Sequence, residues 1–135
     1  MKRLVLVLAT VFLTGCFNND DVDVQATDSV TLGETTFKKN CISCHGKEGQ
    51  GLVKDWKKTQ ENGKYPAPPI NGTAHAFHHS PKALLTTIND GGVILGGWMP
   101  GFKDQLNEVE KQGLLDYIHS LWPSELQKKY DEKFK

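Results

Sequence analysis

Cysteine is scarce in this chain, with three in 135 residues, and methionine scarcer still, with two. No apolar run is long enough to cross a bilayer. The longest, "LVLVLATVFL" at residues 4–13, falls well short of the about 20 residues that a hydrocarbon core requires. There is no net charge, because 16 basic residues balance 16 acidic ones, and this excludes the basic surface of a nucleic-acid binder. Segments with the alternating pattern of a half-buried strand are absent too, which leaves helices and loops as the building material.

What the N-terminus does have is a positive patch, Lys2 and Arg3, followed by that short apolar run and then "LTGC" at residues 13–16. Charge, apolar core and small residues in this order describe an export signal, over residues 1–15. The four residues "LTGC" resemble the lipobox of bacterial lipoproteins, which implies that Cys16 becomes the first mature residue and carries the lipid. The alternative is an ordinary secretory signal that leaves an unpaired thiol in an oxidising compartment. Loss of residues 1–15 leaves 14 basic and 16 acidic residues, a formal charge of −2. The following "FNNDDVDVQATDSV" holds four aspartates and little apolar bulk, so residues 16–30 read as a flexible acidic tether.

The remaining segments read as three helices in one domain, residues 31–122. Leu32, Thr36 and Phe37 recur near helical spacing up to Cys41, and Gly46 stops the run. "NGKYPAPPINGT" is a proline- and glycine-rich loop. Ser80 caps and Pro81 starts "PKALLTTIND", which Gly91 and Gly92 end. Asn107 and Glu110 form a capping-box pair ahead of "EVEKQGLLDYIHSLW", where Leu114, Tyr117, Ile118 and Leu121 share one face, and Pro123 terminates it. The tail "SELQKKYDEKFK", in residues 123–135, mixes both charges and reads as a solvated helix beyond the domain.

Three helices over roughly 90 residues give a core that is marginal for independent stability, so something else must fill the middle. "NCISCHGKEGQG", residues 40–51, says what. A disulfide between Cys41 and Cys44 would close almost no loop and contribute little. Zinc would need about four ligands, usually two such pairs, and Cys16 is committed elsewhere. A thioredoxin-like pair needs a strand–helix–strand setting. Covalent haem attachment accounts for all three residues: thiols three apart add to the two vinyl groups, and His45 ligates the iron. The cofactor is one haem c.

On these residues the chain resembles the small class I cytochromes c, over nearly all of residues 31–122. "LGETTFKKNCISCHGKEGQG" is similar to that family's opening helix and haem loop, with Gly33 and Phe37 eight and four residues before Cys41. The resemblance implies a small all-α cytochrome c fold around the haem. It implies that the carbonyl of Pro68, in "APPING", accepts a hydrogen bond from the proximal His45, with Pro69 as the alternative. "GGWMPGF" implies Met99 as sixth ligand, and "LNEVEKQGLLDYIHSL" implies a closing helix that crosses the first at Gly33, against Leu114 and Tyr117.

Each expectation has a physical side. A soft thioether favours ferrous iron and raises the potential, and Met99 sits between two turn-forming stretches with only Met1 as competitor; its alternative is a core gap-filler. Trp98 and Phe102 flank it as a shield from water. Trp56 and Tyr65 either pack over the haem edge or donate to its propionates. "AHAFHHSP" places His75, His78 and His79 within five residues: a rival sixth ligand, a copper or zinc site, or a solvated loop.

The function that follows is a membrane-tethered monohaem carrier that shuttles single electrons on the extracytoplasmic, periplasmic side. Its partners are the membrane, through the Cys16 lipid, and redox proteins as donor and acceptor, with no nucleic acid and no small-molecule substrate. The chain is thereby a carrier and not an enzyme. Two alternatives stand beside it: a copper-handling haem lipoprotein using the histidine cluster, and a haem enzyme with a displaceable sixth ligand.

Overall fold

A computed structural model describes residues 21–135, with side chains from residue 28 onward. The leader read over residues 1–15, and the anchor Cys16, lie outside the described residues. Among those described, all regular structure is helical: α1 (Asp21–Asn40), α2 (Ile42–His45), α3 (Pro81–Asp90), α4 (Glu108–Ser120) and α5 (Ser124–Phe134), with two single 3-10 turns at Ala76–His78 and Val93–Leu95. None of these helices is long and apolar enough to cross a membrane.

The local start and stop chemistry acts where the sequence places it. The Ser80 hydroxyl accepts from the Ala83 amide at 3.2 Å, with Pro81 in the first turn behind it. Asn107 and Glu110 exchange side-chain and backbone bonds, both 2.9 Å, in a complete capping box. Each satisfies amides that a helix start leaves without partners.

α1 crosses α4 backbone to backbone at Gly33 and Gly113. A Cβ on Gly33 would lie 1.9 Å from the Gly113 carbonyl oxygen and 2.8 Å from Tyr117 Cβ. The contact expected with Tyr117 is present, and Gly113 lies nearest of all, because a glycine on each side lets two helix backbones come this close. Around the crossing, Phe37, Ile88, Phe102, Leu106, Leu114, Leu115 and Tyr117 form the buried core. Phe37 is fully buried, its ring 5.3 Å from that of Tyr117.

The structure departs from the sequence reading at both ends of the domain. Residues 21–30, read as a flexible tether, continue α1. Ser29 Oγ donates to Asp116 Oδ2 of α4 at 2.5 Å, and Val30 packs on the core, so the packed unit begins before Thr31. The C-terminal segment is a helix as expected, but it is docked: Tyr130 is 6% exposed, its ring 4.8 Å from Trp122 and 5.6 Å from His119. His119 Nε2 lies 3.1 Å from Asp131 Oδ1 at the same contact.

Candidate haem-binding site

Cys41 sits at the junction of α1 and α2, its amide bonded to the Phe37 carbonyl at 2.8 Å. The single turn of α2 then carries Cys44 and His45 onto the same side. The His45 amide bonds Cys41 O at 2.9 Å, and the Gly51 amide returns to His45 O at 2.7 Å. Cys41 and Cys44 are not bridged to each other. Burial pushes the Cys41 thiol up to about 11, with the neighbouring Cys44 adding to the effect. A reactive redox cysteine is marked by the opposite shift, so Cys41 is not an activated thiol, and the described residues supply no strand for a thioredoxin-like setting.

His45 is buried, and Nδ1 lies 3.1 Å from the Pro68 carbonyl oxygen. A carbonyl can only accept, so Nδ1 carries the proton and donates. Burial holds the imidazole below its usual value, while the Pro68 bond works in the other direction. The loop bearing Pro68 is tied down twice nearby: the Ile70 amide bonds Gly49 O at 2.7 Å, and the buried Trp122 donates its indole N–H to Ile70 O at 2.7 Å.

Met99 reaches the site from the other side of the chain. Its segment folds back on the end of α3 through Gly92 N to Met99 O at 3.0 Å, Phe102 N to Ile88 O at 2.9 Å and Lys103 N to Asn89 O at 3.2 Å. Gly91 makes this possible. Its φ of 83° is left-handed, and a Cβ there would fall 2.5 Å from Met99 O.

Cys41, Cys44, His45, Pro68 and Met99 all line one cavity of about 460 Å³, within the range of about 300–1,000 Å³ typical of cofactor sites. The other walls are largely apolar, with Ile88 and Leu84 from α3 and Ile118 from α4. Trp56, Tyr65, Trp98 and Phe102 line it as well. Phe102 is buried, whereas Trp98 remains 42% exposed, so the shield expected around Met99 is closed on the Phe102 side only. Leu84 and Lys57 also line the cavity and were not foreseen. The apolar period of α3 pointed to Leu84, and no pattern pointed to Lys57.

The three clustered histidines part company. His75 and His79 line the cavity with ring centroids 5.3 Å apart, and His75 stacks on Trp56 at 5.2 Å. His78 does not line it and packs against Phe77 at 4.4 Å. Among the described residues, no three His, Cys, Asp or Glu side chains are grouped so as to hold a metal ion.

Two thiols three apart, a buried histidine held by a proline carbonyl and a methionine from a second segment, all lining one apolar cavity among described elements that are all helical, fit a covalently bound haem and define a class I c-type cytochrome. Residues 28–118 match the family described as cytochrome c oxidase, cbb3-type, subunit III, and the chain belongs to that family. Its relatives include the cbb3-type cytochrome c oxidase subunit CcoP of Rhodobacter capsulatus, 30% identical over 95 residues, covering 67% of this chain and 29% of the relative. The corresponding subunit FixP of Bradyrhizobium diazoefficiens is 32% identical over 89 residues, covering 66% and 26%. The cytochrome c subunit of a quinone alcohol dehydrogenase from Gluconacetobacter polyoxogenes is 25% identical over 97 residues, covering 67% and 18%. The chain thus spans less than a third of the length of these relatives. No solved structure matches at a significant level. Family membership implies a covalently bound haem c with its iron.

Proposed function

We propose that this chain is a lipid-anchored, monohaem electron carrier on the periplasmic face of a bacterial membrane. In this reading Cys41 and Cys44 would hold the haem through two thioethers, and His45 and Met99 would bind its iron. Residues 1–15 are removed as a leader, and Cys16 carries the anchor. The observation that carries the haem assignment is the convergence of Cys41, Cys44, His45 and Met99, from two distant segments, on one apolar cavity.

When bound, haem supplies an iron that exchanges single electrons between its ferric and ferrous states. The chain's residues supply the rest. Pro68 fixes the His45 tautomer by accepting from Nδ1, which leaves Nε2 as the nitrogen to bind iron. The Met99 thioether favours the ferrous state and so raises the potential. With His45 and Met99 both holding the iron, no position would be left for a substrate, and the role would be that of a carrier. Relatives named as oxidase and alcohol dehydrogenase subunits support redox proteins as donor and acceptor. Such encounters are usually small and brief.

The test is the visible spectrum of the reduced, purified protein, combined with acid–acetone extraction. A low-spin c-type spectrum that survives extraction is expected. Haem that extracts freely from the intact protein would defeat the covalent assignment, and Cys41→Ser with Cys44→Ser should create that behaviour.

A further inference from the structure

α4 buries one charged side chain. Lys111 is the only buried lysine among the described residues, at 2% exposure, and it precedes the buried Leu114 and Leu115 by three and four residues. That is a place in the apolar stripe which an aliphatic side chain ordinarily fills. An ammonium there is costly unless its donors find acceptors.

Two acceptors meet it, and they differ in kind. Nζ donates to Glu108 Oε1 at 2.9 Å and to the Lys103 carbonyl at 3.2 Å. Glu108 lies one turn back on the same helix with its side chain 78% exposed, so that bond ties nothing distant together. Lys103 belongs to the segment that carries Met99. Its amide bonds Asn89 O at 3.2 Å, and residue 103 is thereby gripped from α3 through its N–H and from α4 through its C=O. Only Pro100, Gly101 and Phe102 separate it from Met99, and they leave little slack. Proline fixes its own φ, a Cβ on Gly101 would stand 2.5 Å from Asn89 O, and the Phe102 amide bonds Ile88 O at 2.9 Å.

We propose that Lys111 is a positioning residue for the sixth ligand: its ammonium, through Lys103 O, clasps the Met99 segment to α4 and keeps the thioether at the iron. The inference rests on the haem reading above, with Met99 as ligand. An external ligand reaches the iron only when this segment swings away, so its apparent affinity scales with the fraction of open molecules. Loss of a hydrogen bond from a charged donor raises that fraction about tenfold or more.

Imidazole titration of the ferric, full-length holoprotein, read by loss of the sulfur-to-iron absorption band, tests this. Lys111→Leu removes the donor without adding a sulfur, and it should bind imidazole about tenfold or more tightly than the wild type. Glu108→Gln keeps the ammonium and its bond to Lys103, and should stay within about twofold, since an exposed partner contributes little. A lysine that merely supported the fold would change the urea midpoint when replaced and leave the imidazole affinity alone. Unchanged affinity in Lys111→Leu, or an equal rise in Glu108→Gln, overturns the inference and leaves the carrier reading intact. Failure of Lys111→Leu to accumulate as holoprotein overturns it too, since the ammonium would then hold up the whole fold and not one segment. A wild type with covalent haem and no sulfur-to-iron band overturns it together with the Met99 assignment. A chain without covalent haem overturns the carrier reading as well.

Discussion

Gly33 and Gly113 place α1 and α4 in direct backbone contact, so close that a methyl group on Gly33 would overlap the Gly113 carbonyl at 1.9 Å. The neighbours are backbone atoms and a Cβ, and none of them can swing aside. Gly33→Ala should therefore cost at least about 1–3 kcal/mol, the usual range for overpacking. Gly113→Ala should be milder, since its nearest neighbours, Ser29 O and Gly33 N, stand at 2.9 and 3.0 Å. Urea unfolding followed by tryptophan fluorescence gives the order, and equal losses would contradict it.

Met99 and the histidine cluster make opposing claims on the sixth ligand position. Met99→His should keep a low-spin haem and lower the potential, because imidazole favours ferric iron more than a thioether does. Met99→Ala should open the iron to carbon monoxide. The weak ferric sulfur-to-iron absorption band should be present in the wild type and survive the joint change of His75, His78 and His79 to alanine. Its absence from the wild type would transfer the position to a histidine.

Tyr130 is the buried anchor of α5, and it touches Trp122 and His119 but does not line the cavity. Tyr130→Ala should lower stability by about 3 kcal/mol, at the lower end for a buried aromatic, while the visible spectrum at low temperature stays the same. Calorimetry beside an absorption spectrum separates the two. A change of spectrum without thermal loss would mean that α5 acts on the haem.

In the proposed function the membrane anchor would hang on one atom, the Cys16 sulfur. Cys16→Ser should move the protein from the membrane fraction to the soluble one, or leave the leader uncleaved. Fractionation and the mass of the mature N-terminus report both. A pool that stays on the membrane after proper cleavage would place the attachment elsewhere.

Much of this was legible because it is local. Ser80 and the pair Asn107 and Glu110 announce helix starts through chemistry confined to one turn, and Cys41, Cys44 and His45 announce theirs within five residues. The misreadings concern longer range. A lone tyrosine in a charged helix shows its burial only once Trp122 is found beneath it. Residues 21–30 have a tether's composition, and only the bond from Ser29 to Asp116 reveals where packing begins. The histidines 75, 78 and 79 are close neighbours in sequence, yet a 3-10 turn sends two of them to the cavity and the third to Phe77. Lys57 gave no signal at all, because its place on the cavity wall depends on how an irregular loop closes.

The return of the Met99 segment onto α3 is made by backbone amides and carbonyls, with no charged side chain in any of the three bonds. Added salt weakens attractions between solvent-exposed ions and leaves bonds of this kind nearly untouched. Ionic strength should thus slow or speed the meeting with a redox partner while the iron's coordination sphere stays constant. The speed of electron exchange would then answer to salt, and the hold on the Met99 segment would not.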